Sequence, residues 1–199
     1  MYAGKVNSAK TSPHGEAERL LDILGAFSSS IIHGGSIDDV LWDIASQCIS
    51  HLVFEDCVVY LLDENRQVLV QKAAYGPKNI DYRSIFEPIE IPIGQGVVGR
   101  VAASGQPLLI DDLTEFEDYI VDDLERRSEL AVPILCDNRV IGVIDSEHSL
   151  PGFFQTIHVK TLVNIAHIAG HKIGRTKSEE SSREMEQFYQ LNPNPVLQI

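Results

Sequence analysis

Three carboxylates, Glu129, Asp145 and Glu147, are the side chains of this sequence whose type and spacing best suit chemistry. Alternate residues of a strand face the same way. Asp145 and Glu147 therefore share one face of the run VIGVIDSEH (140–148), and Glu129 opens the neighbouring run ELAVPILC (129–136). Three acids converging on a pocket would hold an amine, a guanidinium or a hard ion such as calcium. Left at strand ends in water, the same acids would be mere solvated surface. The aromatic residues Tyr75, Phe86 and Tyr119 complete the candidate ligand pocket with Glu129, Asp145 and Glu147.

Other reactive residue types are placed less favourably. His167 and His171 stand four apart, so on a helix both imidazoles could face one metal, but no third ligand lies nearby and a surface position is expected. Cys48, Cys57 and Cys136 follow neither a CxxC nor a zinc spacing, and lie in apolar stretches where free cysteine acts as a small hydrophobe. Gly94, Gly96 and Gly99 suit a tight strand-to-helix turn over a pocket. Arg100-Val-Ala follows them where a phosphate-cradling loop would carry lysine and serine or threonine. No catalytic residue, metal or cofactor is assigned on this basis.

The elements that must position these groups are legible in the hydrophobic pattern. Leu20, Leu24, Phe27 and Ile31 form an amphipathic stripe over 16–32. His33-Gly-Gly stops that helix, and Ser36 with Asp38 and Asp39 starts another reaching about residue 52, with Ile37, Leu41, Ile44, Ala45 and Cys48 inward. A hairpin is predicted over 57–74, an irregular stretch over 78–88 and a proline-flanked edge strand over 88–93. A short helix to Ser104, a strand over 107–111, an acidic surface loop over 112–127 and an apolar hairpin over 129–145 follow. A long helix starts near Phe154, with Leu162, Ile165, Ala169 and Ile173 at near-heptad positions, and turns polar after Lys172. Both helical stripes could pack on the chain's own sheet or meet a second copy across a parallel two-fold axis.

In this order of elements, EDCVVYLL (55–62), GQGVVGRVAASGQP (94–107), SELAVP (128–133) and GVIDSEH (142–148) resemble the GAF domains of bacterial signalling proteins. The resemblance implies an α+β fold, a GAF-like six-stranded antiparallel sheet with flanking N- and C-terminal helices, with helices on one face and a small-molecule pocket on the other. FYQLNPNPVL (188–197) is similar to the start of a PAS domain, as in multidomain sensor histidine kinases. The expected organisation is thus a tail over 1–14, a GAF domain over 15–176, and a connector helix with the start of a truncated PAS-like domain over 177–199. Glu129, Asp145 and Glu147 also resemble the substrate-binding acids of free methionine sulfoxide reductases, which are catalytic GAF proteins. In that family the glycine-rich turn bears a nucleophilic cysteine, where this sequence has Val97 and Val98. The Cys-His pair of bilin-binding relatives and the Asn-Lys-x-Phe-Asp-Glu signature of cyclic-nucleotide-binding ones have no counterpart.

Sixteen basic against twenty-nine acidic residues give a net charge of −13, which repels nucleic acid and anionic lipid. The polar N-terminus lacks the apolar centre of a secretory signal, and no apolar run reaches the roughly 20 residues of a membrane span. A cytoplasmic fragment without membrane contact is expected. The function expected is a regulatory small-molecule-sensing module that homodimerises through Leu20, Leu24, Phe27, Ile31, Leu162, Ile165, Ala169 and Ile173, relays to downstream PAS and kinase or other output domains, and has no activity of its own. The alternatives are a ligand-free dimerisation spacer, or a reductase using Cys136 or Cys57 in place of the missing thiol.

Overall fold

The computed structural model describes residues 13–33, 35–52, 54–122 and 124–191. Helices α1 (Pro13–His33) and α2 (Ile37–Leu52) come first. The Ser36 hydroxyl accepts from Asp39 N–H at 3.2 Å while the Asp39 carboxylate accepts from Ser36 N–H at 3.0 Å, a reciprocal cap that starts α2 where Ser36 predicts. Strands β1 (Cys57–Asp63) and β2 (Val68–Tyr75) form the first hairpin, and β3 (Asn79–Asp81) and β4 (Ser84–Ile85) a separate two-stranded ladder. Then come β5 (Glu90–Pro92), α3 (Gly96–Ser104), β6 (Leu108–Ile110), a 3₁₀ turn at Leu113–Glu115, β7 (Ser128–Cys136), β8 (Arg139–His148) and α4 (Thr156–Leu191).

The main sheet has six strands in the order β5-β2-β1-β8-β7-β6, every pair antiparallel. Strands β7 and β8 are apolar along most of their length because both of their faces are covered. On one side Phe27, Leu41, Ile44, Cys57, Val59, Leu130, Val132, Ile144, Leu162 and Ile165 form the helix-side core. On the other, Val58, Tyr60, Leu69, Ile91, Val98, Val101, Ala131 and Val143 form a smaller core beneath α3 and its flanking loops. The alternation Cys57/Val59 against Val58/Tyr60 follows the strand period of two.

Helix α4 lies directly on β7. A Cβ at Gly170 would collide with the Leu135 carbonyl, so the helix reaches the strand only because that position has no side chain. This close seating uses up the apolar stripes. Phe27, Leu162, Ile165, Ala169 and Ile173 are 0 % exposed and Ile31 6 %, while Leu24 packs half-buried against the same core. The expected dimer stripe is therefore corrected: those side chains already pack inside their own domain and cannot meet a second copy without opening it. The side chains of Leu20 and Cys48 lie outside the described residues. So does the PAS-like stretch beyond Leu191. Past Ile173, α4 continues as one unbroken helix whose surface is largely polar and exposed. Among the described residues, no helix is long and apolar enough to cross a membrane.

Candidate functional site

The sheet face opposite the helices carries a narrow cavity of about 10 Å³, room for about one water molecule as it stands, walled by Glu129, Asp145, Glu147, Tyr60, Asp122 and the α3 end of the glycine-rich turn. Pairing of β7 with β8 sets Glu129 opposite Glu147 and Ala131 opposite Asp145, so the three acids form one cluster on the cavity face. All three are more than nine-tenths buried. One carboxylate oxygen, Asp145 Oδ1, is buried without a hydrogen-bond partner.

Burial raises the pKa of each acid, and repulsion among them raises it further. Glu147 is pushed up to about 10, by burial first and by Asp145 second. Glu129 is raised by burial and then by Glu147, and Asp145 by burial and then by Glu129. At neutral pH the cluster therefore holds protons that water-exposed carboxylates would have released. The Tyr60 hydroxyl beneath it, raised by burial, stays neutral and accepts from Gln71 Nε2 at 2.9 Å.

A second polar shell surrounds the acids. Asp56 Oδ1 accepts Glu147 N–H at 2.7 Å, and Asp56 Oδ2 pairs with Arg126 Nη2 at 3.1 Å, both side chains buried. Asp122 Oδ2 accepts from Gln71 Nε2 at 2.8 Å and faces Lys78 Nζ at 3.7 Å. Facing the acids, the first turn of α3 brings Gly96, Val97 and Val98 to the wall. First-turn amides have no carbonyl partner within a helix, and the Gln95 side chain caps none of them. The cavity is thus acidic at one end and edged by amide donors and a positive helix terminus at the other, an arrangement suited to a ligand carrying an ammonium group and a polar oxygen.

Of the candidate residues, Glu129, Asp145 and Glu147 come together here. Tyr119 sits beside them, its hydroxyl accepting Arg126 N–H at 3.1 Å and its pKa raised by burial and then by Glu147. Tyr75 and Phe86 are corrected: they are 40 % and 49 % exposed and do not line the cavity. Tyr75 borders a separate surface cleft with Trp42 and Tyr82, because it ends β2 on the far side of the strand from Tyr60. Tyr60, Gln71, Lys78, Asp122 and Arg126 belong to the site and were missed. Gln71, polar at the heart of an apolar strand, was the available signal.

His167 and His171 are both exposed on α4. Among the described residues, no group of three or more His, Cys, Asp or Glu is arranged to hold a metal ion, so the calcium option for the acids finds no support. Cys57 packs in the helix-side core, on the wrong face of β1. Cys136 is half-buried; it ends β7 against Gly174 of α4, seven residues and about 24 Å along the strand from Glu129. Neither described thiol reaches the cavity.

A model of the GAF domain family matches residues 35–173. The free methionine-R-sulfoxide reductase of Escherichia coli is 32 % identical over 95 residues, 48 % of this chain and 52 % of that protein. The Nif-specific regulatory protein of Azospirillum brasilense is 27 % identical over 186 residues, 86 % of this chain and 29 % of that protein. The structure of free methionine-R-sulfoxide reductase from Neisseria meningitidis in complex with its substrate superposes with a TM-score of 0.73 at 23 % identity, over 80 % of this chain and 91 % of that one. The first curated relatives are each matched over about half of their own length. The Escherichia coli relative is an enzyme by name, and that likeness overturns the expectation that this chain has no enzymatic activity.

Proposed function

Because the chain belongs to the GAF domain family, we propose that its acidic cavity binds a free amino acid of the methionine sulfoxide class and that the protein acts on it as a reductase. One observation carries the proposal: a buried carboxylate oxygen, Asp145 Oδ1, lacks a partner inside a cavity it shares with Glu129 and Glu147. An unpaired buried polar atom is costly, and an ammonium donor satisfies it while neutralising its neighbours. The α-carboxylate or sulfoxide oxygen then lies toward the amides at the start of α3. The named relatives that are free methionine-R-sulfoxide reductases support this ligand class.

Reduction requires a thiol at the sulfoxide sulfur. The S–O bond breaks as the oxygen passes to the thiol as a sulfenic acid, the thioether is released, and a second thiol closes a disulfide with loss of water. Cys57 and Cys136 face away from the cavity, so an added dithiol or a thiol outside the described side chains supplies the electrons. The test is calorimetric titration with free methionine-R-sulfoxide and with its N-acetyl form, followed by turnover with dithiothreitol in the native protein and in Cys48→Ser, Cys57→Ser and Cys136→Ser variants. The free amino acid is expected to bind and the N-acetyl form is not, and Asp145→Asn is expected to lose about tenfold or more in affinity, the worth of one charge-assisted hydrogen bond. Equal binding of both forms refutes ammonium recognition, and an unchanged sulfoxide pool refutes the reductase reading.

A regulatory role for the same cavity is favoured by the likeness to a nitrogen-fixation regulator and by the continuation of α4 beyond the domain core. In that reading, ligand in the cavity shifts α4 and, with it, a downstream PAS, kinase or other output module in a homodimer. A ligand-induced change in distance between spin labels at Lys72 of β2 and Glu184 on the free arm of α4 would support it, and an unchanged distance refutes it.

A further inference from the structure

Residues 116–122 cross the cavity mouth without regular secondary structure. The Ile120 side chain rests on Gly96, where φ is 60° and a Cβ would stand 2.9 Å from Ile120 Cδ1. Ile120 and Asp122 both form part of the wall. Along this strap Arg100 lies over the Phe116 ring at 4.8 Å, and Phe116 and Tyr119 pack half-buried on the smaller core. Arg100 pairs with Asp118 at the surface, with both side chains about half exposed, and such pairs contribute about 0–1 kcal/mol. The inner fastening differs. Asp122 receives Gln71 Nε2 at 2.8 Å and lies 3.7 Å from Lys78 Nζ, and the Lys78 side chain is 3 % exposed. Lys78 in turn donates to the Glu87 carbonyl at 3.3 Å, and Gln71 Oε1 accepts Ile89 N–H at 3.0 Å, so both partners are themselves anchored to the segment before β5.

We propose that residues 116–122 are a gate over the acidic cavity and that Lys78, acting with Gln71 on Asp122, is the latch that holds it shut. The proposal rests on the cavity being a ligand site, as above. Ligand exchange then requires Ile120 to lift from Gly96 and Asp122 to leave Gln71 and Lys78. Lys78 is a positioning residue: its charge is matched inside the wall by Asp122 and it sets how often the mouth opens. Removing one member of a buried pair costs the closed state far more than losing a surface pair would.

The test is amide hydrogen exchange of the ligand-free protein as native chain, Lys78→Met and Lys78→Arg. Methionine fills the buried stem without the charge, and arginine restores it. Exchange across 116–122 is expected to rise about tenfold in Lys78→Met, with β7 and β8 unchanged, and to return near the native rate in Lys78→Arg. Native-like exchange in Lys78→Met overturns the latch, and so does an equal rise throughout β7 and β8, which marks general loosening. In a second arm, stopped-flow mixing with free methionine-R-sulfoxide should show association and dissociation quickened by similar factors in Lys78→Met. A change confined to dissociation overturns gating, since it would place Lys78 on the ligand. If the sulfoxide does not bind at all, the proposed ligand fails while the exchange arm still decides the latch.

Discussion

Replacing Glu147 by glutamine should make the folded protein more tolerant of alkali. In the unfolded chain this carboxyl ionises near its ordinary value of 4.5, whereas in the fold burial and then Asp145 raise it to about 10. Between those values the native state keeps a proton that the unfolded state has lost, so stability is fully present below the unfolded value and drains away as pH rises. The loss is about 1.4 kcal/mol per pH unit for each retained proton. Between pH 7 and 9 that is about 2.7 kcal/mol from Glu147, and allowing half for relaxation and water penetration leaves about 1.4 kcal/mol, a large part of a typical stability of about 5–15 kcal/mol. Glu129 and Asp145 act with the same sign, so the difference between variants is the quantity to read. His148, whose pKa is lowered by burial, has the opposite sign: its effect is complete above about 6.5, outside the window. Asp39, lowered to about 2 chiefly by Arg83, gives stability that is lost only in acid. Urea titrations at pH 7, 8 and 9 should therefore show a slope of stability against pH that is shallower by about 0.7–1.4 kcal/mol per unit in Glu147→Gln. Parallel slopes would mean that Glu147 ionises alike in both states, and the dry acidic cavity would be refuted.

Gly170→Ala should cost about 2 kcal/mol or more, because its methyl group enters the Leu135 carbonyl; an unshifted urea midpoint would show that α4 does not rest on β7 as described. Arg126→Met leaves Asp56 buried without its guanidinium partner and should cost about 3–5 kcal/mol, whereas a change below 1 kcal/mol would move that pair to solvent. Iodoacetamide on the native protein should label Cys136, half-buried at the end of its strand, and spare Cys57; mass spectrometry finding the reverse would contradict the facing of β1.

Much of the fold was legible because it rests on short-range periodicity. The apolar runs of β7 and β8 announce strands covered on both faces, and Ser36 with Asp39 announces the start of α2. The little ladder β3–β4 was hidden, since strands of three and two residues are too short to display a period. The acids were found through strand alternation alone. Their supporting residues were not, because Asp56, Gln71, Lys78, Asp122 and Arg126 come from separate segments joined only by tertiary pairing. The stripes on α1 and α4 show the limit of periodicity: an apolar face says that a helix is covered, and only the glycine contact at Gly170 says that the cover is its own sheet.

The seating of α4 makes that helix a lever. Its 36 residues span about 54 Å, and roughly 25 Å of that length lies beyond Arg175, clear of the fulcrum where Gly170 meets β7. The same strand holds Glu129 at its other end, so a rocking of β7 by five degrees would swing the free arm through about 2 Å, the amplitude of known interface helix shifts. Because the pivot is carbonyl against bare backbone, with no flexible side chain between them, little of that swing is lost to cushioning.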